Sequence, residues 1–337
     1  MPTTNDSAWK KFRFFPLAIC GAFCLGAALA AQAQAPSWPA RAVKVIATSP
    51  PGGGIDLMTR LVAEEAAKSF GQPFVVENRP GANGNIGTQA ALREPADGHV
   101  FFVSAPGPFA INQSFMSAVP FNAASDIAPV AMLGSLPLML VLHPSIPANN
   151  VQELLAWMKS RGNKVTYASQ GIASTGHLAM ELFLTTTGME ATHIPYKNSG
   201  ANAAIDHIAG RIDIAFNSSG ATLQYLEKKQ LRAIAVGELK RIAMAPHIPT
   251  IVEQGIPGFE VTPWIGVGTR AGVPGEIIRR MNDSATRGMA RAENRERLMK
   301  MGFELRPMTP EQFAAYIRAE TLKWGELIRR TGVKEDT

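Results

Sequence analysis

Val43-Lys-Val-Ile-Ala47, then Ser49-Pro-Pro-Gly-Gly-Gly54, then residues 55–70: this stretch decides the fold. The first segment is a β-rich run and the second a turn. The third puts Leu57, Met58, Leu61, Val62 and Ala66 at helical spacing. The rhythm recurs. Residues 74–77 predict a second strand, 78–84 a loop, 85–93 a helix, and 99–103 a third strand running into the loop 104–108. Further on, strands are expected at 138–142, 165–169, 192–194, 212–216 and 232–236. Helices are expected between them, at 176–187, 199–209 and 222–229, and Asn150 with Glu153 three residues on predicts another helix start. Alternation on this scale argues for mostly parallel α/β sheets with helices on both faces.

The C-terminal part changes character. Residues 261–267 read as one more strand, and Pro274 is expected at the first position of a helix carrying Ile277, Ile278, Met281 and Ala285. Thr309-Pro310-Glu311-Gln312 is a capping box that opens a helix to about residue 330, with Gly332 placed to end it. Two stretches read as connectors, 134–137 and 246–258.

The chain has 337 residues, 46% apolar and 18% charged, which excludes a disordered protein and suffices for one large or two ordinary domains. Only the N-terminus offers an uncharged run long enough to meet a membrane. Lys10, Lys11 and Arg13 precede an uncharged run to Ala31, followed by the overlapping small-x-small sites Ala31-Gln-Ala33 and Ala33-Gln-Ala35. This predicts an export signal over 1–35, cleaved to leave Gln34 or Pro36 first. A retained membrane anchor is the alternative reading of the same run. Both cysteines, Cys20 and Cys24, fall inside it, so the remainder has no disulfide framework, thiolate metal site or cysteine nucleophile. Without the signal, 30 cationic and 26 acidic residues leave a net charge of +4. No basic stripe points to nucleic acid. The mild excess suits small anions.

Three strand-to-helix junctions are rich in glycine and small polar residues: 50–56, 79–87 and 169–177. Glycine lets a ligand approach the backbone, and a helix start offers unpaired N–H groups with a partial positive charge. Such junctions bind carboxylate or phosphate without a Lys or Arg. Three in one chain, with Ser104 ending another strand, predict a shared anion site; tight turns are the alternative at each. Asp56 reads either as a first-turn acid favoured by the helix dipole or as a group that orients ligand or water. The glycine spacing at 81, 84 and 87 is not a dinucleotide fingerprint, and no phosphate-binding loop or nucleophile elbow occurs. The histidines at 99, 143, 177, 193, 207 and 247 show no close pair in sequence, which predicts surface or loop positions and no metal site. Ser174 beside His177 reads as a helix cap.

The combination Pro51-Gly-Gly-Gly-Ile-Asp56, Val76-Glu-Asn-Arg-Pro-Gly-Ala-Asn-Gly-Asn-Ile-Gly87, Ala96-Asp-Gly-His99 and His193-Ile-Pro-Tyr-Lys197 resembles the Bug family. These are the periplasmic solute-binding proteins of tripartite tricarboxylate transporters. Leu231-Arg-Ala-Ile-Ala-Val236 and Pro249-Thr-Ile-Val-Glu-Gln-Gly-Ile-Pro-Gly258 extend the resemblance over the chain beyond the signal. It implies a periplasmic binding protein-like fold of two α/β lobes joined by a two-segment hinge, 36–137 plus 259–337 and 138–258. It implies a monomer without cofactor or metal that captures a small carboxylate-bearing acid for membrane permease subunits. The implied ligand contacts are Pro51, Gly53, Gly54, Ile55 and Asp56 in the first loop and Gly81, Asn83 and Gly84 in the second. Ser104 and Pro106 follow β-rich run 99–103, and Ser169, Ile172, Ser174, Thr175, His177 and Asn217 come from the second lobe. Three positions depart from the family pattern. Ile55 replaces a small or hydroxylated residue, Asn198 follows Pro-Tyr-Lys where Gly is usual, and Phe216-Asn217-Ser218 replaces Phe-Asp-Asn. Ile55 suggests a ligand with an apolar body, aromatic or aliphatic. A sensor subunit docking on a two-component receptor is the alternative function, and an exported hydrolase on the same fold is a third.

Overall fold

Among the described residues, ten strands pair into two five-stranded sheets. They are β1 (Val43–Ala47), β2 (Phe74–Asn78), β3 (Val100–Ser104), β4 (Ile127–Ser135), β5 (Leu138–Leu142), β6 (Thr166–Ser169), β7 (Thr192–Pro195), β8 (Ile214–Ser218), β9 (Arg232–Val236) and β10 (Trp264–Arg270). The structure is a computed structural model and describes Met1, residues 38–196 and residues 200–334. The expected signal with its cleavage sites, and Asn198, lie outside the described residues.

The first sheet has the order β2-β1-β3-β10-β4 and the second β7-β6-β8-β5-β9. β1 runs parallel to β2 and β3, while β10 is antiparallel to β3 and β4. β6 runs parallel to β7 and β8, while β5 is antiparallel to β8 and β9. Each sheet therefore has four strands of one sense and one opposed strand, in the same place. In both, the opposed strand is the first that the chain makes after crossing from the other sheet.

Both crossings leave from one edge. Ser135, ending β4, is paired with Trp264, starting β10, and Gly266 is paired with Ser104, ending β3. Leu138, starting β5, is paired with Ser218, ending β8. The Leu136 N–H donates to the Pro263 carbonyl at 2.8 Å, tying the two crossing segments together. The C-terminal ends of the parallel strands in both lobes thus turn toward the crossing, the edge at which open α/β sheets bind ligands.

The helices are α1 (Gly54–Phe70), α2 (Asn85–Leu92), α3 (Asn112–Phe115), α4 (Ala123–Asp126), α5 (Val151–Arg161), α6 (Thr175–Thr187), α7 (Gly200–Ile208), α8 (Ser219–Glu227), α9 (Gly275–Ala290), α10 (Ala292–Lys300) and α11 (Pro310–Thr331). The Asn150 side chain caps α5 by accepting the Glu153 N–H at 2.8 Å. Thr309 and Gln312 form the reciprocal capping box of α11, and Gly332 ends it in the left-handed region at φ 69°. Pro274 stands one place earlier than expected, capping α9 rather than filling its first position.

Each lobe has its own core. In the first, Phe109, Trp264 and Phe313 pack ring to ring at 5.2–5.8 Å, with Ile46, Phe102 and Met132 around them. In the second, Leu140, Leu142, Tyr167, Phe183, Phe216 and Phe259 form the centre. α11 reaches both cores: Phe313 lies in the first, while Trp324, Leu327 and Ile328 are buried in the second. Eleven residues of helix, about 16 Å, separate Phe313 from Trp324.

Three strands differ from expectation by more than one residue at an end. β4 was not foreseen, because Pro129 and Gly134 interrupt its apolar run; it is an edge strand, where a missing ladder donor is tolerated. β8 is 214–218, shifted two residues toward the crossing. β10 begins at Trp264 rather than Val261, because the Val261 N–H bonds the Gly237 carbonyl of the second lobe at 2.8 Å and Pro263 has no N–H.

Candidate functional site

The loop between β1 and α1 carries Pro51, Gly53, Gly54, Ile55 and Asp56. Pro51 and Gly53 are exposed, Gly54 and Ile55 half-buried, and Asp56 is buried. Both oxygens of Asp56 are engaged. Oδ2 accepts the Gly52 N–H at 2.9 Å and Arg60 Nε–H at 3.0 Å; Oδ1 accepts from Asn78 at 2.8 Å. Burial alone would raise its pKa, but the Arg60, Gly52 and Asn78 hydrogen bonds outweigh that and hold it at about 2. Asn78, ending β2, also donates to the Ser49 carbonyl at 3.1 Å. Asp56 is thus the internal brace of its loop.

The second loop turns through four consecutive positive φ angles, Gly81 (123°), Ala82 (46°), Asn83 (49°) and Gly84 (91°). Ala82 is strained there, a cost of order 1–2 kcal/mol that persists only where the surroundings impose it. The surroundings are visible. Asn83 donates to Asn112 at 2.7 Å, and Asn112 donates back to the Asn83 carbonyl at 3.2 Å. A Cβ on Gly84 would stand 2.9 Å from Ser104 Oγ and Pro108, so only glycine lets this loop close onto the one after β3. There Ser104 and Pro106 are buried, and Ser104 Oγ accepts from Thr48 at 2.8 Å. The first lobe therefore brings 51–56, 81–84 and 104–106 together at one sheet edge.

In the second lobe the junction between β6 and α6 holds Ser169, Ile172, Ser174, Thr175 and His177. Ser169 and His177 are buried, the others half-buried. Ser174 caps α6, its hydroxyl accepting the His177 N–H at 3.4 Å. A Cβ on Gly176 would lie 3.0 Å from the Phe216 carbonyl, which sets the first turn of α6 beside half-buried Asn217. Ala173, like Ala82 and Asn83, is a non-glycine residue at positive φ, 54°.

Three histidines depart from the expectation of surface or loop positions, His177 in α6, His193 in β7 and His207 in α7, whereas His99 is in the loop before β3. His99, His177 and His207 are buried, and His177 and His193 stack face to face at 4.0 Å and 7°. Tyr167 joins them at 4.7 Å from His193 and donates its hydroxyl hydrogen to Glu181 at 2.5 Å. Burial pushes the Tyr167 hydroxyl pKa up and pulls that of His193 down to about 4. Thr48, Asn78, Tyr167, Glu181 and His193 were not foreseen as parts of the site. His177 and His193 are 16 residues apart, and only the pairing of β6 with β7 joins them.

The two lobes meet beside these loops. The Ser219 N–H donates to the Pro137 carbonyl at 2.8 Å, and the Ser219 hydroxyl to the Gly302 carbonyl at 3.3 Å. The Phe303 ring would lie 3.1 Å from a Cβ on Gly54. A groove of about 490 Å³ opens between residues 241–244 and 290–305, lined by Met244, Met299 and Phe303, but no residue of the expected ligand set lines it. The cations bordering the first lobe's loops are engaged: Arg60 with Asp56, and Arg79 with Glu77 at 2.5 Å. The donors for an anion are then helix-start N–H groups and hydroxyls. Among the described residues no group of three or more His, Cys, Asp or Glu side chains could hold a metal, and no helix is long and apolar enough to cross a membrane.

Two α/β lobes on crossing strands, each with glycine-rich loops at the sheet edge nearest the crossing, define a bilobal solute-binding protein of the periplasmic binding class. The chain belongs to the family described as the tripartite tricarboxylate transporter family receptor, which residues 58–333 match. This is a family of receptors, not of enzymes. Protein BugT of Bordetella pertussis is 34% identical over 94% of this chain and 98% of its own length. A structure described as R. palustris Rpa4515 with adipate superposes with a TM-score of 0.76 at 32% identity, covering 88% of this chain and 99% of that one. Periplasmic binding protein BugD (TM-score 0.72, 28% identity, 89% and 100% covered) and MatC from Rhodopseudomonas palustris with bound malate (0.72, 25%, 86% and 100%) share the architecture.

Proposed function

We propose that this protein captures a small organic acid bearing at least one carboxylate and delivers it to the permease subunits of a tripartite tricarboxylate-type transporter. It works in the periplasm as a monomer, after export and removal of residues 1–35. The lobes that close on the ligand are 36–137 with 259–337, and 138–258. The observation that carries this reading is that both sheets carry glycine-rich helix starts at the strand ends nearest the crossing, with the neighbouring cations already engaged. A carboxylate is the anion that such N–H and hydroxyl donors suit at small size. The ligand contacts are those expected from Pro51–Asp56 and residues 81–84, 104–106 and 169–177, with Asn217; Asp56 serves by bracing its loop.

An aliphatic dicarboxylate fits best. The relatives solved with adipate and malate support it, and half-buried Ile55 at the start of α1 suits a chain with an apolar middle. Isothermal calorimetry with four- to eight-carbon dicarboxylates and their diamides tests this. Binding of at least one diacid, with its diamide weaker by a hundredfold or more, is expected. Equal binding of acid and amide, or heat only from neutral sugars, would overturn it.

A further inference from the structure

The ring cluster of the second lobe holds the loop 169–174 at two points. Tyr167 and His193 are register partners on β6 and β7, and His177 comes from the first turn of α6. The Ala173 N–H donates to His177 Nδ1 at 3.0 Å. That nitrogen therefore carries the lone pair, and the ring hydrogen sits on Nε2, 3.6 Å from Glu181 Oε1. His193 Nε2 lies 2.7 Å from Ser169 Oγ. The Ser169 hydroxyl donates to the Gly171 carbonyl at 3.0 Å and accepts the Gly171 N–H at 3.1 Å. One hydrogen links the pair, and the imidazole tautomer sets whether the ring nitrogen or the serine hydroxyl carries it.

We infer that His193 is a positioning residue for ligand binding: through its hydrogen bond to Ser169 it fixes the loop 169–174 in the form that presents the α6 helix start to the carboxylate. The inference rests on the proposed carboxylate site. The loop needs such a hold. Gly171 and Ala173 sit at φ 127° and 54°, and a non-glycine residue leaves the left-handed region unless its neighbours prevent it. Ser169 is the last residue of β6 and Ser174 the cap of α6, so the loop spans the whole junction. The stack confines the ring of His193 against Tyr167 and His177, leaving its Nε2 directed at Ser169. Burial keeps His193 neutral at neutral pH, the form that bonds Ser169 without adding a charge to the site.

Two measurements on the full protein test this and separate it from the ligand assignment. Hydrogen–deuterium exchange without ligand reads the loop itself. His193→Phe, which keeps an aromatic ring and removes the partner of Ser169, should raise exchange across 169–174 by about tenfold, and His193→Gln, whose amide can donate or accept, should reverse most of it. Unchanged exchange in His193→Phe overturns the proposal whatever the ligand proves to be. Adipate titration then reads affinity. His193→Phe should weaken binding about tenfold and Ser169→Ala, which also loses both Gly171 bonds, by at least as much; the double variant should be no weaker than Ser169→Ala, because the His193 bond is already gone there. Additive losses, or a lower melting temperature with unchanged affinity, would assign His193 a merely structural role. If the unaltered protein binds none of the diacids, the ligand reading fails and the exchange result still decides.

Discussion

Gly220 of the second lobe and Gly302 of the first lie backbone to backbone. A Cβ on Gly302 would stand 2.6 Å from the Gly220 Cα and N, and one on Gly220 would stand 2.3 Å from the Met301 carbonyl. Gly302 also has φ 87°, whereas Gly220 sits in the first turn of α8 where any residue's backbone fits. Gly220→Ala is therefore a wedge between the lobes. It should leave far-UV dichroism unchanged, increase the radius of gyration and weaken ligand binding at least tenfold. Small-angle scattering with and without a diacid checks this. Compaction equal to that of the unaltered protein would show that the contact does not limit closure.

Asp56 gives a second expectation. Its pKa is depressed from 3.8 to about 2, so its contribution to stability is complete above pH 4 and fades as pH falls toward 2. Asp56→Asn keeps the size and loses the charge that holds Arg60 and Gly52. About 2–3 kcal/mol of stability should go with it at pH 7, the usual worth of hydrogen bonds to a charged group. Chemical denaturation at pH 7 measures the loss, which should shrink at pH 2.5. Weaker ligand binding with full stability would instead make Asp56 a ligand contact.

Glu238 gives the opposite sign. It is buried beside the Val261 crossing, and its nearest cation, Arg306 of the first lobe, is 3.7 Å away and shared with Glu260 at 3.5 Å. Burial raises its pKa from 4.5 to about 7, against the pull of Thr262 and Arg306. The folded protein therefore holds this proton more tightly than the unfolded chain. Its stability is fully present below pH 4.5 and is lost as pH rises to 7, by at most about 1.4 kcal/mol per pH unit. Glu238→Gln should raise the melting temperature at pH 8 and leave it unchanged at pH 4. A variant less stable than the parent at pH 8 would show that the charge is better compensated than its surroundings indicate.

Thr175 opens α6 on a half-buried loop rather than in the core. Thr175→Trp should abolish diacid binding in calorimetry while the melting temperature moves little. Retained affinity would place the ligand away from the α6 start.

Much of this was legible in the sequence where a local rule acts. The Asn150 and Thr309 caps, Gly332 and the apolar stripe of α1 follow from short-range hydrogen bonding and period, so their positions were readable. β4 was not, because Pro129 argues against a strand unless its place at the sheet edge is known. The opposed direction of β5 and β10 was equally hidden, since strand direction leaves no mark in composition. At the site, the glycine-rich loops were visible as loops. The internal commitment of Asp56 to Asn78, 22 residues away, and the stacking of His193 on His177 arise only from strand order.

The division of α11 between two cores has a mechanical consequence. A rod anchored at Phe313 in one body and at Trp324, Leu327 and Ile328 in the other resists any separation along its own length. It permits twisting about that length with little disturbance to either anchorage. The relative motion of the lobes should then be a roll about the C-terminal helix more than a jaw-like gape. Cutting the chain after Arg318 should strip the second core of its Trp and two aliphatic side chains, so the severed half would not stand as a folded fragment.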